Sequence, residues 1–346
     1  MTQSFQGRVA AAVVVPTDCW YAVARSADIT NSLTSVRAVG RPVVLFRTSA
    51  GTAVALEDRC AHRAYPLSAG TVQGDTIRCG LCGFVYDAGG QCIGVPTQAR
   101  VPLGAFVDAY PVRESDGLVW AWFGEPGRAR LHRLPELPWL VDADWATVAG
   151  DRPVDASFLL LHENFADVTQ VPFVAPDISP AVLGDAPPPL EVTVSETTVS
   201  LRRQFPPARM PAWQARLTGR PDDVELPTVQ EGYLLSPAVW VDYWDVQLTD
   251  DTWARLRFTQ LVTPIDERSS HLMWAVSRDF AVTDIAATQE LTATFEDYYS
   301  RVLTAMETAQ SVIDRDGPGR EVNVSADIVG LRIREIVEAL LAEEGA

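Results

Sequence analysis

The sequence predicts an α+β fold, built as an all-β domain over residues 1–127 followed by an α+β domain over residues 128–346. Three observations carry this reading. From Cys19 to about Gly127 the chain runs in short apolar segments of strand length, separated by glycine-bearing turns. Pro126 to Pro138 is a connector with proline, arginine and little periodicity. Beyond it, strand-like runs alternate with loops to about Phe280 and then give way to two stretches of helical period.

Val43-Val44-Leu45-Phe46 and Val54-Ala55-Leu56 are the first strand candidates. Gly89-Gly90 and Asp116-Gly117 mark turns, and Leu118 to Phe123 is a further strand ended by Gly124. A short helix is expected from about Ala156 to Val168. Pro187-Pro188-Pro189 leads into Leu190 to Val194, which has the two-residue period of a half-buried strand. Trp240, Tyr243, Trp244, Trp253, Phe258 and Trp274 suit both a sheet core and the lining of a roomy apolar pocket. Thr283 to Arg315 reads as a long helix, with Phe295, Tyr299, Val302 and Met306 at spacings of three and four. A second helix is expected from Ser325 to Ala342, with Ser325 as its cap and Ile328, Leu331, Ile336, Leu340 and Leu341 as its apolar positions.

With 346 residues and 47% apolar content, the chain can bury a sizeable core. No run of eighteen apolar residues occurs, and the first residues lack the basic start and apolar stretch of a signal peptide, so the expectation is a cytoplasmic protein with no membrane partner. A formal charge of −17 repels phosphate backbones, which argues against nucleic acid. All 28 basic residues are arginine, so chemistry through a lysine Schiff base is excluded. Five cysteines, an odd count, do not suggest a disulfide scaffold.

Three of those cysteines lie together. Cys60-Ala-His62 is followed, after sixteen residues, by Cys79-Gly-Leu-Cys82. Two short pairs of ligand residues on neighbouring loops bring four donors to one centre, and thiolates with imidazole suit zinc and iron–sulfur clusters. Gly70, Gly74, Gly80 and Gly83 fit tight turns around such a site. The stretch Cys60-Ala-His62-Arg63-Ala-Tyr-Pro66-Leu67-Ser68-x-Gly70, then Gly74-Asp75-x-Ile77-x-Cys79 and Gly83-Phe84-x-Tyr86-Asp87-x-x-Gly90, resembles the cluster-binding segment of Rieske non-heme iron oxygenases. The resemblance implies a two-iron, two-sulfur cluster on two cysteines and two histidines. Cys60, His62 and Cys79 match three of these, and Cys82 stands where the second histidine belongs. A Cys3His cluster of lowered potential is expected, with zinc or no stable metal as the alternatives.

The same resemblance covers the rest of the chain. It implies a helix-grip-like antiparallel sheet with long C-terminal helices, and a facial triad of two histidines and a carboxylate around mononuclear iron. The matching stretch is Asn164-Phe-Ala-Asp167-Val-Thr-Gln170-Val-Pro172-Phe173-Val-Ala175-Pro176. Asn164 and Asp167 match, but Gln170 and Ala175 occupy both histidine positions. Asp297, in Glu296-Asp297, matches the carboxylate. An amide and a methyl group do not replace two imidazoles, so no mononuclear catalytic iron is expected. His162 would need a changed helix register to substitute, and His132 and His271 read as structural.

The expectation is therefore a family member turned to non-oxygenase chemistry. Cyclisation, cycloaddition, isomerisation or dehydration of a bulky apolar secondary metabolite is the leading reading, with Asp167, Gln170 and Asp297 at the site and His162, Glu163 and Asn164 beside it. The alternatives are a non-catalytic partner of an active oxygenase homologue and an unusual monooxygenase or hydroxylase with a non-standard iron site. The resemblance also implies a homotrimer.

Overall fold

The computed structural model describes residues 15–183 and 187–345. The N-terminal part is made of eleven short strands: β1 Trp20–Arg25, β2 Thr34–Ala38, β3 Arg41–Arg47, β4 Ala53–Glu57, β5 Thr71–Gln73, β6 Thr76–Arg78, β7 Val85–Tyr86, β8 Cys92–Gly94, β9 Ala109–Tyr110, β10 Val112–Ser115 and β11 Leu118–Trp122. They form three antiparallel sheets, in the orders β1-β11-β10, β2-β3-β4-β9 and β5-β6-β7-β8. The predicted turn at Asp116-Gly117 joins β10 to β11, and both of its residues have positive φ. Val44, Phe46, Leu56, Leu67, Ile77 and Tyr86 pack into a small core beneath the β5–β8 sheet.

The remaining strands, β12 Ala146–Val154, β13 Glu191–Val194, β14 Val199–Arg209, β15 Glu225–Ser236, β16 Val239–Gln247, β17 Trp253–Pro264 and β18 Ser270–Arg278, form one antiparallel sheet in the order β12-β18-β17-β16-β15-β14-β13. Helices α1 Phe158–Ala166, α2 Val171–Val174, α3 Ala212–Thr218, α4 Ile285–Asp316 and α5 Ile328–Glu344 accompany it. This is the helix-grip-like arrangement expected. One face of α4 carries Leu291, Phe295, Tyr299, Val302 and Leu303, all buried at helical spacing against the sheet. Asp284 caps its start by accepting from Ala287 N at 3.1 Å.

One local reading needs correction. Ser325 makes no capping bond. It lies in a 3-10 turn before α5, and Asp327 instead accepts from Val324 N. The large rings divide: Trp240 and Trp274 belong to the packed core, whereas Trp244 and Phe258 reach a pocket. The β1-β11-β10 sheet joins the larger core, with Trp20, Trp120 and Trp122 buried beside the C-terminal residues. Thr263 Oγ1 donates to Ala22 O at 2.7 Å across that junction. No described helix is long and apolar enough to cross a membrane.

Candidate functional site

Two turns build the metal-ligand cluster. In the first, Ala64 N donates back to Cys60 O at 2.9 Å, with Ala64 at φ 55. In the second, Gly83 N donates to Cys79 O at 3.0 Å, with Gly83 at φ 70. A Cβ on Gly83 would also come within 2.8 Å of Pro96, so glycine is required there twice over. The turns bring the sulfurs of Cys60, Cys79 and Cys82 within 4.8 Å of one another. Tyr86 Oη lies 3.2 Å from Cys60 Sγ and accepts from Ala61 N at 3.1 Å. Burial raises the Cys60 thiol, but hydrogen bonds from Tyr86, the His62 backbone and the two neighbouring thiols outweigh it and leave Cys60 below its usual range.

His62 stands outside this three-thiol set. Its exposed ring stacks on Phe84 at 4.9 Å, nearly parallel. The gathered donors are therefore three sulfurs, with the expected imidazole beside them. This donor chemistry fits an iron–sulfur or zinc centre. A bound two-iron cluster supplies one-electron transfer. Cys82 offers no ring nitrogen through which a hydrogen bond could carry that transfer onward.

A second site lies between the large sheet and its helices. The pocket encloses about 710 Å³ of atom-free space, part of it open to solvent. The end of α1 contributes Asn164 and Phe165, and the following 3-10 turn contributes Val168 and Gln170. Strands β16 and β17 contribute Asp242, Trp244, Leu256, Phe258 and Gln260. Helix α3 adds Trp213 and Gln214, and α4 adds Phe295 and Tyr298.

The walls are mostly apolar, yet four amides show a buried polar atom with no partner among the described residues: Asn164 Oδ1, Gln170 Oε1, Gln214 Nε2 and Gln260 Oε1. An unpaired buried polar atom costs about 1–3 kcal/mol, so such atoms mark places for ligand groups or ordered water. Asp167 also lines the pocket, but it is committed locally. Its two carboxylate oxygens accept from Thr169 N and Thr169 Oγ1, both at 2.8 Å.

The inward carboxylate is Asp242, which the sequence reading did not single out. Trp240, Asp242, Trp244 and Val246 alternate along β16 and are all buried. A carboxylate in the apolar register of that strand was the available signal. Trp240 Nε1 donates to Asp242 Oδ2 at 2.7 Å, and Gln230 Nε2 donates to Oδ1 at 3.3 Å. Burial pushes the carboxyl up to about 7, against the lowering pull of these two bonds.

Of the three positions matched to iron ligands, only one lines the pocket. Gln170 faces the pocket. Ala175 is fully buried and does not line it. Asp297 lies off the buried stripe of α4, with its side chain 62% exposed, and pairs with Arg301 at 2.6 Å. It is not a pocket carboxylate, contrary to the sequence reading, because residue 297 falls between the inward turns that carry Phe295 and Tyr298.

Of the flanking candidates, Asn164 lines the pocket, whereas His162 and Glu163 fall outside it. His162 is completely buried edge-on to Phe158 and is absent from the pocket lining. Desolvation holds its pKa down to about 3. Glu163 pairs with Arg334 on α5, which also pairs with Glu321 at 2.7 Å. Of the other histidines, His132 packs against Trp122 and His271 lies 3.3 Å from Asp151.

Comparison with known proteins gives a consistent picture. Residues 19–111 match the Rieske [2Fe-2S] domain, and residues 154–343 match the vanillate O-demethylase oxygenase C-terminal domain. The chain is similar to a putative toluene-4-sulfonate monooxygenase system iron-sulfur subunit of Comamonas testosteroni, 28% identical and covering 94% of this chain and 96% of that one. It is 26% identical to the oxygenase component of dicamba O-demethylase from Stenotrophomonas maltophilia, covering 95% and 98% respectively. Among solved structures, dicamba monooxygenase bound to 3,6-dichlorosalicylic acid superposes with a TM-score of 0.85 at 23% identity, over 95% of this chain and 98% of that one.

Proposed function

The chain belongs to the Rieske-type oxygenase alpha-subunit family, and from that premise we propose that it is an enzyme whose C-terminal pocket takes a small, largely apolar molecule and acts on it without a mononuclear iron. One observation carries the reading. Where the family resemblance assigns two imidazoles and a carboxylate, the pocket meets the amide of Gln170, while Ala175 is a buried methyl and Asp297 is turned outward to Arg301. Ferrous iron held by a facial triad needs nitrogen donors. Each of the four histidines of the chain is placed elsewhere: His62 by the thiols, His132 on Trp122, His162 in the core and His271 beside Asp151. The residues therefore do not fit that metal.

What remains is a shaped apolar cavity with amide groups and a buried carboxylic acid. Such a cavity orients a flexible molecule and moves protons. Isomerisation, dehydration and ring closure are the reactions that match, since none needs an oxidant. The three-thiol centre then serves the fold or a separate electron transfer, and the pocket chemistry does not require it. The resemblance also supports a trimer as the working assembly.

A second reading, oxygenation through an iron site of other composition, is favoured by the relatives, which are named as monooxygenase and demethylase components over most of their length. Iron counting separates the two. Protein supplied with ferrous salt and then desalted is expected to hold iron equal to its acid-labile sulfide, and to consume no oxygen beyond the controls when reduced. Iron in excess of sulfide, together with oxygen uptake, establishes the second reading.

A further inference from the structure

We propose that Asp242 is the proton-transfer residue of this pocket, and that its substrate is a neutral, compact carbonyl compound rather than an anionic acid. The proposal deepens the reading above and rests on it.

The charge of the lining decides the ligand class. Among the described residues no arginine or histidine lines the pocket, whereas two carboxylates, Asp167 and Asp242, do. A sulfonate or carboxylate entering it would meet like charge with no cation in the lining to compensate. Relatives named for toluene-4-sulfonate and vanillate suggest ligands of the opposite kind. A neutral molecule suits the lining better. Its apolar body rests on Trp213, Trp244, Phe258 and Phe295. Its oxygen accepts from the unpaired N–H of Gln214, or of whichever neighbouring amide turns its nitrogen inward.

Asp242 is held from both of its carboxylate oxygens. Gly232 lies opposite Asp242 in the β15–β16 register, and a Cβ there would come within 2.5 Å of the Trp240 ring. The missing side chain lets the indole lie across β15 and aim its N–H at Asp242 Oδ2. On the other oxygen, Gln230 donates to Asp242 while its own Oε1 faces Arg203 Nη1 at 3.4 Å. The buried guanidinium of Arg203 is thus linked to Asp242 through Gln230. From α4, Tyr298 lines the same pocket, and the Tyr299 hydroxyl accepts from Gln260 Nε2 at 3.0 Å. These groups and Asp167 make up the charged and titratable surroundings of the carboxyl. Each carboxylate oxygen keeps a lone pair for a substrate proton.

The step balances without a co-reactant. Asp242 Oδ takes a proton from the carbon beside the carbonyl. The C–H electron pair becomes a C=C bond, and the C=O pair moves onto oxygen, which an amide N–H holds. Return of the proton at the same carbon gives exchange, and return at a conjugated carbon gives an isomer.

The probe is 2-tetralone, a neutral bicyclic ketone with acidic C–H bonds, with 2-naphthoate as its anionic counterpart. Binding is read by quenching of tryptophan fluorescence, and proton transfer by deuterium uptake at C1 in D2O, followed by NMR with the buffer rate subtracted. The full chain is expected to bind the ketone, to bind the naphthoate at least about tenfold more weakly, and to accelerate exchange. Asp242→Asn is expected to keep ketone binding and lose about a hundredfold or more of the exchange. Trp240→Phe, which removes a bond that favours the charged carboxylate, is expected to move the pH midpoint of exchange upward. Exchange unchanged in Asp242→Asn, or absent while the ketone binds, overturns the role of Asp242. Tighter binding of naphthoate overturns the neutral-substrate assignment. Binding of neither probe overturns the pocket reading itself.

Discussion

Arg301 holds Asp297 one helical turn away, Nη2 to Oδ2 at 2.6 Å, and with its other guanidinium nitrogen holds Asp177 at 2.6 Å. Asp297 is on α4, whereas Asp177 follows α2. A single guanidinium therefore ties the segment after Gln170 to the long helix. In the family resemblance, iron makes a comparable link, joining the same two stretches through histidine and aspartate. Here an organic cation supplies it, and the carboxylate that matches the iron ligand is already occupied.

Replacing Arg301 with alanine tests how much that link matters. The pairs are 30% and about 60% exposed, so solvent screens them and the expected loss of stability is no more than about 1 kcal/mol. The loss should shrink in about 1 M salt. Arg301 holds the Asp177 carboxyl below its usual range, so this contribution is present above the ordinary carboxylate pKa and disappears as pH falls through the lowered value. Freeing Asp297 supplies no imidazole, and the variant is expected to retain no iron in excess of its acid-labile sulfide after desalting. Thermal melts at two salt concentrations and metal analysis of the desalted protein check all of this.

Cys82→His restores the donor type that the family resemblance places there. Imidazole gives less charge to a cluster than thiolate does, so the reduction potential of a reconstituted cluster should rise, on the order of 100 mV or more. Protein-film voltammetry and the low-temperature EPR of the reduced protein read the change. An unchanged potential and spectrum would mean that residue 82 is not a ligand.

Gly232→Ala places a methyl group where the Trp240 ring lies, with Leu201 Cγ at 2.9 Å on another side. Neither neighbour is exposed, so relief requires the ring to shift, and a loss of about 1–3 kcal/mol is expected. The indole N–H then leaves Asp242. Urea midpoints give the first quantity, and the pH midpoint of proton exchange, expected to rise, gives the second.

Much of the metal centre was legible because its chemistry is local. Cys60, Cys79 and Cys82 lie on two turns whose glycines the chain displays directly, and only the stacking of His62 on Phe84 is a tertiary event. The pocket was less legible. Asp167 and Gln170 were found through a motif and do line it, but the motif cannot say that Thr169 occupies Asp167. Asp297 was placed by its match alone, and the helical period that turns it outward competes with that match. Asp242 carries no motif. Its burial follows from the register of β16 against β15 and β17, and only the alternation with Trp240 and Trp244 hints at it. The two long helices were clear from their apolar spacing, whereas the start of α5 was misread because Ser325 falls inside a 3-10 turn, in which Asp327 accepts from Val324 N.

His162 and Asp242 give the fold two opposed responses to acid. His162 is buried neutral, with its pKa held down to about 3, so protons favour the unfolded chain as pH drops below the ordinary histidine value. Asp242 is raised to about 7, so protons favour the folded chain from the ordinary carboxylate range up to that value, and stability falls as pH rises through it. Between pH 7 and about pH 5 each contributes about 2 kcal/mol, with opposite sign. In the intact chain these two responses therefore oppose each other over this interval. His162→Leu leaves the Asp242 response exposed, and its stability should be higher at pH 5 than at pH 7 relative to the intact chain. Asp242→Asn leaves the His162 response exposed and should behave in the reverse sense. Urea unfolding of the three proteins at both pH values measures the differences directly. Parallel pH dependence in all three would show that neither group titrates in the window set by its burial.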